Sequence, residues 1–266
     1  MKKLAWVTDI HLDFLDRSEV ERFCAEISRV DPDLLLVGGD IGQADSVFGY
    51  LEKLAESLNG PVCFVFGNHD YYNGSIAEIR SQALEITRRV PDLICLESAG
   101  AFELTRSTVL VGHGGWGDGR LGDYDRSPVD LNDFHKIREL QGLDRGERLK
   151  VLHRLGDEAA DYLLHVATEA FSRFDDLIVL THVPPFKEAC LYRGKIGGPD
   201  WLPFFTCDAV GRVLKKLMQQ NPEKRMRVLC GHSHHAAFRG ILPNLSVHTG
   251  GAVYGSPAVQ DVLSVD

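Results

Sequence analysis

Three polar side chains stand together in the stretch "FVFGNHDYYNG": Asn68, His69 and Asp70. An amide oxygen or a carboxylate can hold a cation, and an imidazole can hold one or carry a proton near neutral pH. The same chemistry recurs along the chain. Asp9 and His11 stand two apart in "TDIH", Asp40 ends "GGD", His182 ends "LTH", and His232 and His234 stand two apart in "GHSHH". Side chains two apart on an extended segment share a face, so each pair aims two donors at one region. Carboxylate, imidazole and amide oxygen together suit Mn, Fe, Zn or Co. Asp9, His11, Asp40, Asn68, His182, His232 and His234 are too many ligands for one ion, and they suit two ions sharing a bridging carboxylate.

The elements that must position these residues are legible as apolar runs. "KLAWVT", "LLLVG" and "VCFVF" are short, rich in β-formers, and read as buried strands. Helical spacing fills the gaps, over 18–29 (Val20, Phe23, Cys24, Ile27), 46–58 (Val47, Tyr50, Leu51, Leu54, Leu58) and 75–89, where Ser75 and Glu78 have capping-box spacing. This β-α-β-α-β-α order predicts a parallel sheet with helices on its faces. "LIVLTH" and "RVLCGH" add two further strands. Five strands thus end in Asp, Asn or His, and the carboxyl ends of parallel strands form the ligand crevice of such folds. One Asp after a strand is usually a cap or turn residue, and Asn or Asp beside Gly makes ordinary turns. Five such strand ends in succession leave that explanation little room.

The rest of the chain carries less chemistry. "LICLE", "AFELT" and "TVLVGHG" are expected to pair antiparallel, and "AAFRGIL", "LSVHTG" and "QDVLSVD" to form a closing antiparallel meander. Residues 118–146 read as a charged surface excursion or cap, 147–174 as a long helix for packing, capping or oligomer contact, and 208–220 as a helix with Asp208 as N-cap. The loop 183–205 has the Pro, Gly and aromatic content of loops that line sites. Its Tyr192, Arg193, Lys195 and Trp201 could grip a phosphate or a base, against a simpler reading as solvated loop. The Gly-rich turn 111–120, with His113 and Trp116, reads equally as substrate-facing or as a tight turn. His235 and His248 could support the metal ligands from behind, against a simpler reading as solvated or packed histidines. All 266 residues are expected to form one domain.

A net charge of −9 disfavours a long nucleic-acid groove, which needs basic surface, but not a small phosphorylated substrate whose site holds cations. The six cysteines are scattered without a CxxC pair, several in apolar runs, which predicts reduced thiols and a cytoplasmic protein. The short apolar stretch at the N-terminus predicts neither a signal segment nor a membrane span.

The ordered blocks "DIH" (9–11), "GD" (39–40), "GNHD" (67–70), "TH" (181–182) and "GHSH" (231–234) resemble the calcineurin-like metallophosphoesterases. That resemblance implies an α/β fold, a four-layer α-β-β-α sandwich of two mixed sheets with a dinuclear centre at the strand carboxyl ends. It implies one metal held by Asp9, His11 and His234, a second by Asn68, His182 and His232, and Asp40 bridging them. His69 would be the proton donor or phosphate contact, with Asn68 also on the phosphate and Asp70 orienting His69 by a hydrogen bond. The implied reaction is in-line attack on a phosphate ester by a metal-bridging hydroxide. "GDIGQAD" and the terminal Asp70 depart from the GDxVDRG and GNHE of the protein Ser/Thr phosphatase branch. They place the chain nearer the phosphodiesterase-like branches, with a diester favoured over a monoester. A non-catalytic scaffold of the same fold, or a nuclease of short nucleic acids, are the alternatives. The motifs leave the oligomeric state open.

Overall fold

The computed structural model describes residues 1–266. The chain begins as expected, with β1 (Lys2–Val7), α1 (Arg17–Val30), β2 (Leu34–Gly38), α2 (Val47–Glu56), β3 (Val62–Val65), α3 (Ile76–Arg89) and β4 (Leu93–Cys95). The four strands pair parallel in that order. Asp16 and Glu19 form a reciprocal capping box at the start of α1. The box expected at α3 is only half made. Ser75 accepts from the Glu78 amide at 3.4 Å, but Glu139, far along the chain, takes the Ile76 and Ala77 amides.

After β4 the chain crosses to a second sheet through α4 (Leu96–Ala99). It continues with β5 (Phe102–Glu103), β6 (Thr108–Gly112), α5 (Asp133–Lys136), α6 (Arg145–Phe171), β7 (Asp176–Leu180), β8 (Leu191–Tyr192) and β9 (Lys195–Ile196). Then come α7 (Leu202–Phe205), α8 (Asp208–Gln220), β10 (Arg225–Cys230), β11 (Ala237–Leu242), β12 (Leu245–Thr249) and β13 (Asp261–Val265). The sheets run β13-β1-β2-β3-β4 and β11-β12-β10-β7-β6-β5, with β8-β9 a separate hairpin.

Three expectations are corrected here. "LICLE" does not join an antiparallel set: β4 is parallel to β3, and only β5 and β6 form the antiparallel pair. The C-terminal meander stops at β11-β12, because β13 leaves for the other sheet and pairs antiparallel with β1. Asp208 is the first residue of α8 rather than its cap; the Asp118 carboxylate accepts from the Ala209 amide at 2.8 Å instead.

Strand alternation builds the layers. Leu4, Trp6, Leu34, Leu36, Cys63 and Val65 of the first sheet meet Leu110, Ile178, Leu180 and Leu229 of the second in one central core. The alternate residues Ala5, Val7, Leu35, Val37 and Phe64 face α1, α2 and α3. Val109, Val111, Val179, Val228 and Val247 face α6 and α8. The result is the α-β-β-α sandwich of two mixed sheets. The 27-residue α6 serves both outer cores, with Leu152 and Leu155 in one and Leu163 and Val166 in the other. It is a packing helix. No helix is long and apolar enough to cross a membrane.

Candidate metal centre

The carboxyl ends of β1, β2, β3, β7 and β10 bring the polar residues together. Donor atoms of Asp9, His11, Asp40 and His234 all lie within 4.8 Å of one another, and so do those of Asp40, His182 and His232. Asp40 belongs to both groups. The Asn68 amide oxygen joins the second, 3.3 Å from His182 Nε2.

The backbone is bent to make this happen. Asp9, His11, Asp40, His232 and His234 all adopt left-handed φ, between 41° and 67°. Only three other non-glycine residues do so, Asp31, Asn73 and Arg193. Such conformations cost on the order of 1 kcal/mol or more each and cluster where a site requires them. The glycines of the motifs have steric reasons. A Cβ on Gly67 would sit 2.2 Å from Asp40 Oδ1, and one on Gly231 would sit 2.0 Å from Asp9 Oδ2.

Hydrogen bonds aim the donors. Asp9 accepts from the Thr8 hydroxyl at 2.7 Å and the His232 amide at 2.8 Å. His182 Nδ1 pairs with the Gly38 carbonyl at 2.9 Å, which leaves Nε2 facing Asp40 and Asn68. His232 Nε2 pairs with the Phe204 carbonyl at 3.1 Å, leaving Nδ1 for a ligand. Carbonyl-anchored imidazoles of this kind are typical metal ligands. Burial drives His11 down to about 4 and His232 to about 3, so both rings are neutral with a lone pair available. Burial also pushes His182 down, but neighbouring Asp40 outweighs it and holds the ring up at about 10. A cation there would take the place of that proton. Asp40 is pushed up by burial but held well below the usual carboxylate range, chiefly by His182 and His69. His11 Nε2 and His234 Nε2 stand 3.2 Å apart, and buried His11 Nδ1 has no hydrogen-bond partner. Lone pairs on His11 and His232, charged carboxylates and a displaceable proton on His182 fit a borderline divalent cation.

Asp70 is not where the sequence put it. The expected hydrogen bond to His69 is absent. Its carboxylate accepts from four backbone amides instead: Asp40 at 2.9 Å, Ile41 at 2.8 Å, Gly42 at 3.0 Å and Gly67 at 2.8 Å. A side chain two bonds from its backbone reaches the turn after β2 more easily than its neighbour's ring. Asp70 therefore pins the loops after β2 and β3 together. The His69 amide donates to Asp40 Oδ1 at 2.9 Å, and its half-buried ring stacks on Tyr72 at 4.2 Å and meets His11 edge-on at 4.7 Å.

Three contributors were not identified from sequence. Asp133, in the 118–146 excursion, accepts from Asn68 Nδ2 at 2.9 Å and from the Tyr72 hydroxyl at 2.7 Å, which turns the Asn68 oxygen towards His182. The excursion is thus partly buried, with Phe134, Ile137 and Leu140 in the first outer core. Glu97 accepts from the Phe66 and Gly114 amides, both at 3.2 Å, tying the ends of β3 and β6 across the two sheets. Tyr254 lies over the rings of His11 at 4.5 Å and His234 at 4.9 Å. A lone Asp, Glu or Tyr in a loop carries no spacing signal, so none of the three could be found by pattern.

The centre opens into a cleft of about 560 Å³, lined by His69, Tyr72, Tyr192, Trp201, Phe205 and Tyr254 among others. Tyr192, Trp201 and His235 of the earlier candidates line it; Arg193 and Lys195 do not. His113 is buried with Nδ1 accepting from the Gly115 amide, and Trp116 packs in the core against Tyr71, so the 111–120 turn faces inward. His248 packs on Phe238 at 4.7 Å, outside the cleft.

Fold and donor set together define a metallohydrolase-like sandwich with its site on the strand ends. The family model for calcineurin-like phosphoesterases matches residues 2–236, and the chain belongs to that family. Among solved structures, phosphopantetheinyl hydrolase from Mycobacterium tuberculosis is similar with a TM-score of 0.62 at 14% identity, over 94% of this chain and 89% of that one. A dimetal phosphatase from Danio rerio is similar with a TM-score of 0.56 at 14% identity, over 96% and 89%. At such identity these likenesses concern the fold. A sequence search finds no curated protein that matches this chain.

Proposed function

We propose that the protein is a dinuclear metal-dependent phosphoesterase acting on a small phosphate ester, with a diester favoured over a monoester. The observation that carries this is the sharing of Asp40 between two donor groups at the floor of a cleft that His69 also lines. Asp9, His11 and His234 would hold one cation, Asn68, His182 and His232 the other, with Asp40 between. Bound there, two Mn, Fe, Zn or Co ions would supply Lewis acidity and activate water for attack on phosphorus. The chain's own residues do the rest. His69 stands outside both donor groups, stacked on Tyr72, and supplies the proton the departing alkoxide needs. Asn68, held by Asp133, would also meet the phosphate oxygens. Asp70 keeps the two loops that carry Asp40 and Asn68 in register. The six cysteines are all free and buried, which supports a reducing compartment such as the cytoplasm.

A scaffold role is disfavoured because every donor of the motif set is retained. Hydrolysis of bis(p-nitrophenyl) phosphate against p-nitrophenyl phosphate by protein loaded with each metal tests the reading. Faster turnover of the diester is expected. A faster monoester reaction would reverse the preference, and no turnover of either with any of the four metals would overturn the enzymatic assignment.

A further inference from the structure

We propose that the substrate carries a flat, uncharged ring that seats in the cleft against Trp201 and Phe205. This rests on the phosphoesterase reading above and names the kind of ester. An aromatic path leads away from the metal donors. The Phe205 ring lies 4.5 Å from that of His232 at 30°, and Trp201 meets Phe205 edge-on at 5.7 Å. Trp201 is 51% exposed, whereas Trp6 and Trp116 are 3% and 5% exposed. Tyr192, at 58%, lines the same cleft from the β8-β9 hairpin, against His235. Large rings left open to water beside a catalytic centre are surface waiting to be covered.

The charge of the cleft narrows what covers it. No Lys or Arg lines it. Two cations lie over its lining rings: Lys136 over Tyr72 at 5.1 Å and Arg193 over Tyr192 at 5.3 Å. Asp133 is part of the lining. A second phosphate or a carboxylate beyond the metals would find no counter-charge there. A neutral ring loses little by leaving water and gains a stacking surface. Glycines at 197 and 198, between the hairpin and Trp201, also line the cleft, and a Cβ on Gly198 would meet nothing within 4 Å. There is room for a group larger than phosphate.

The test uses full-length Mn-loaded protein and two non-hydrolysable ligands, the 5′-phosphonates of adenosine and of ribose, which differ only by the base. Calorimetry should give the adenosine compound about tenfold or more the affinity, and it alone should quench tryptophan fluorescence. Trp201→Ala should bring it down to the affinity of the ribose compound with Mn content retained. Trp201→Phe should keep most of the preference. If Trp201→Ala loses Mn and does not fold, Trp201→Leu replaces it and should lose the preference too. Equal affinities in the native protein, or a preference that survives loss of the ring at 201, would overturn the proposal. Its failure is separable from that of the enzymatic reading. Ester hydrolysis without ring preference defeats only the ring, and ring preference without hydrolysis of any ester defeats only the enzyme.

Discussion

The donor cradle and the cleft rim sit side by side and are built differently. The cradle hangs from the ends of buried parallel strands, and five of its residues, Asp9, His11, Asp40, His232 and His234, take left-handed backbone that only an over-determined setting would hold. The rim comes from loops: the 118–146 excursion, the 183–205 loop and the stretch before β13 that carries Tyr254. Its rings are about half exposed and make few polar bonds. The cradle therefore has one arrangement and one kind of chemistry. The rim can change with little disturbance to it, and on the proposed reading it would decide which ester is accepted. Asp133 is the exception, a rim residue that reaches inward to hold a cradle residue.

Substitutions can break or sharpen this contrast. The largest effect should follow Asp40→Asn, which weakens both donor groups at once. Metal content measured by plasma mass spectrometry should drop for both ions and turnover should reach background; full metal retention would remove Asp40 from its shared position. His69→Ala should keep both metals and lose about 10²–10⁴-fold in turnover of an alkyl ester, whose leaving group needs a proton. The loss should be much smaller with p-nitrophenolate leaving. An equal loss on both esters would point to phosphate binding instead of proton donation.

Asp133→Asn should cost about 10–100-fold in affinity of the Asn68-side metal, as disturbed outer contacts of metal ligands do. An unchanged metal titration would mean that Asn68 holds its orientation alone. The smallest effect on chemistry should come from Asp70→Asn. It swaps an acceptor for a donor facing backbone amides, at about 2–4 kcal/mol of stability. The melting temperature should fall while the pH profile of turnover keeps its shape. A profile that lost its proton-donor limb with the melting temperature unmoved would restore Asp70 as the partner of His69.

The cradle was legible because its signal is local and repeated. An apolar run followed by Asp, Asn or His can be read without knowing which strands become neighbours, and the parallel order then brings the ends together. What failed was long-range. Whether β4 and β13 join one sheet or the other depends on crossings that no local pattern records. "GNHD" puts Asn68 and His69 at the strand end beside the other donors, yet Asp70 answers to amides on another loop, Asp40 to Gly42, which lie about thirty positions away in the chain. Asp133, Glu97 and Tyr254 are single residues in irregular segments and become recognisable only through their partners. The rim rings could be noted as candidates, but their exposure had to be seen before they outweighed a packing role.

The most direct test of the central claim couples metal content to turnover. Protein stripped with a chelator and titrated with Mn should hydrolyse bis(p-nitrophenyl) phosphate only as occupancy rises, reaching full rate at two ions per chain and losing it again on chelation. Hydrolysis by the stripped protein, or two ions bound with no hydrolysis of any phosphate ester, would contradict the account.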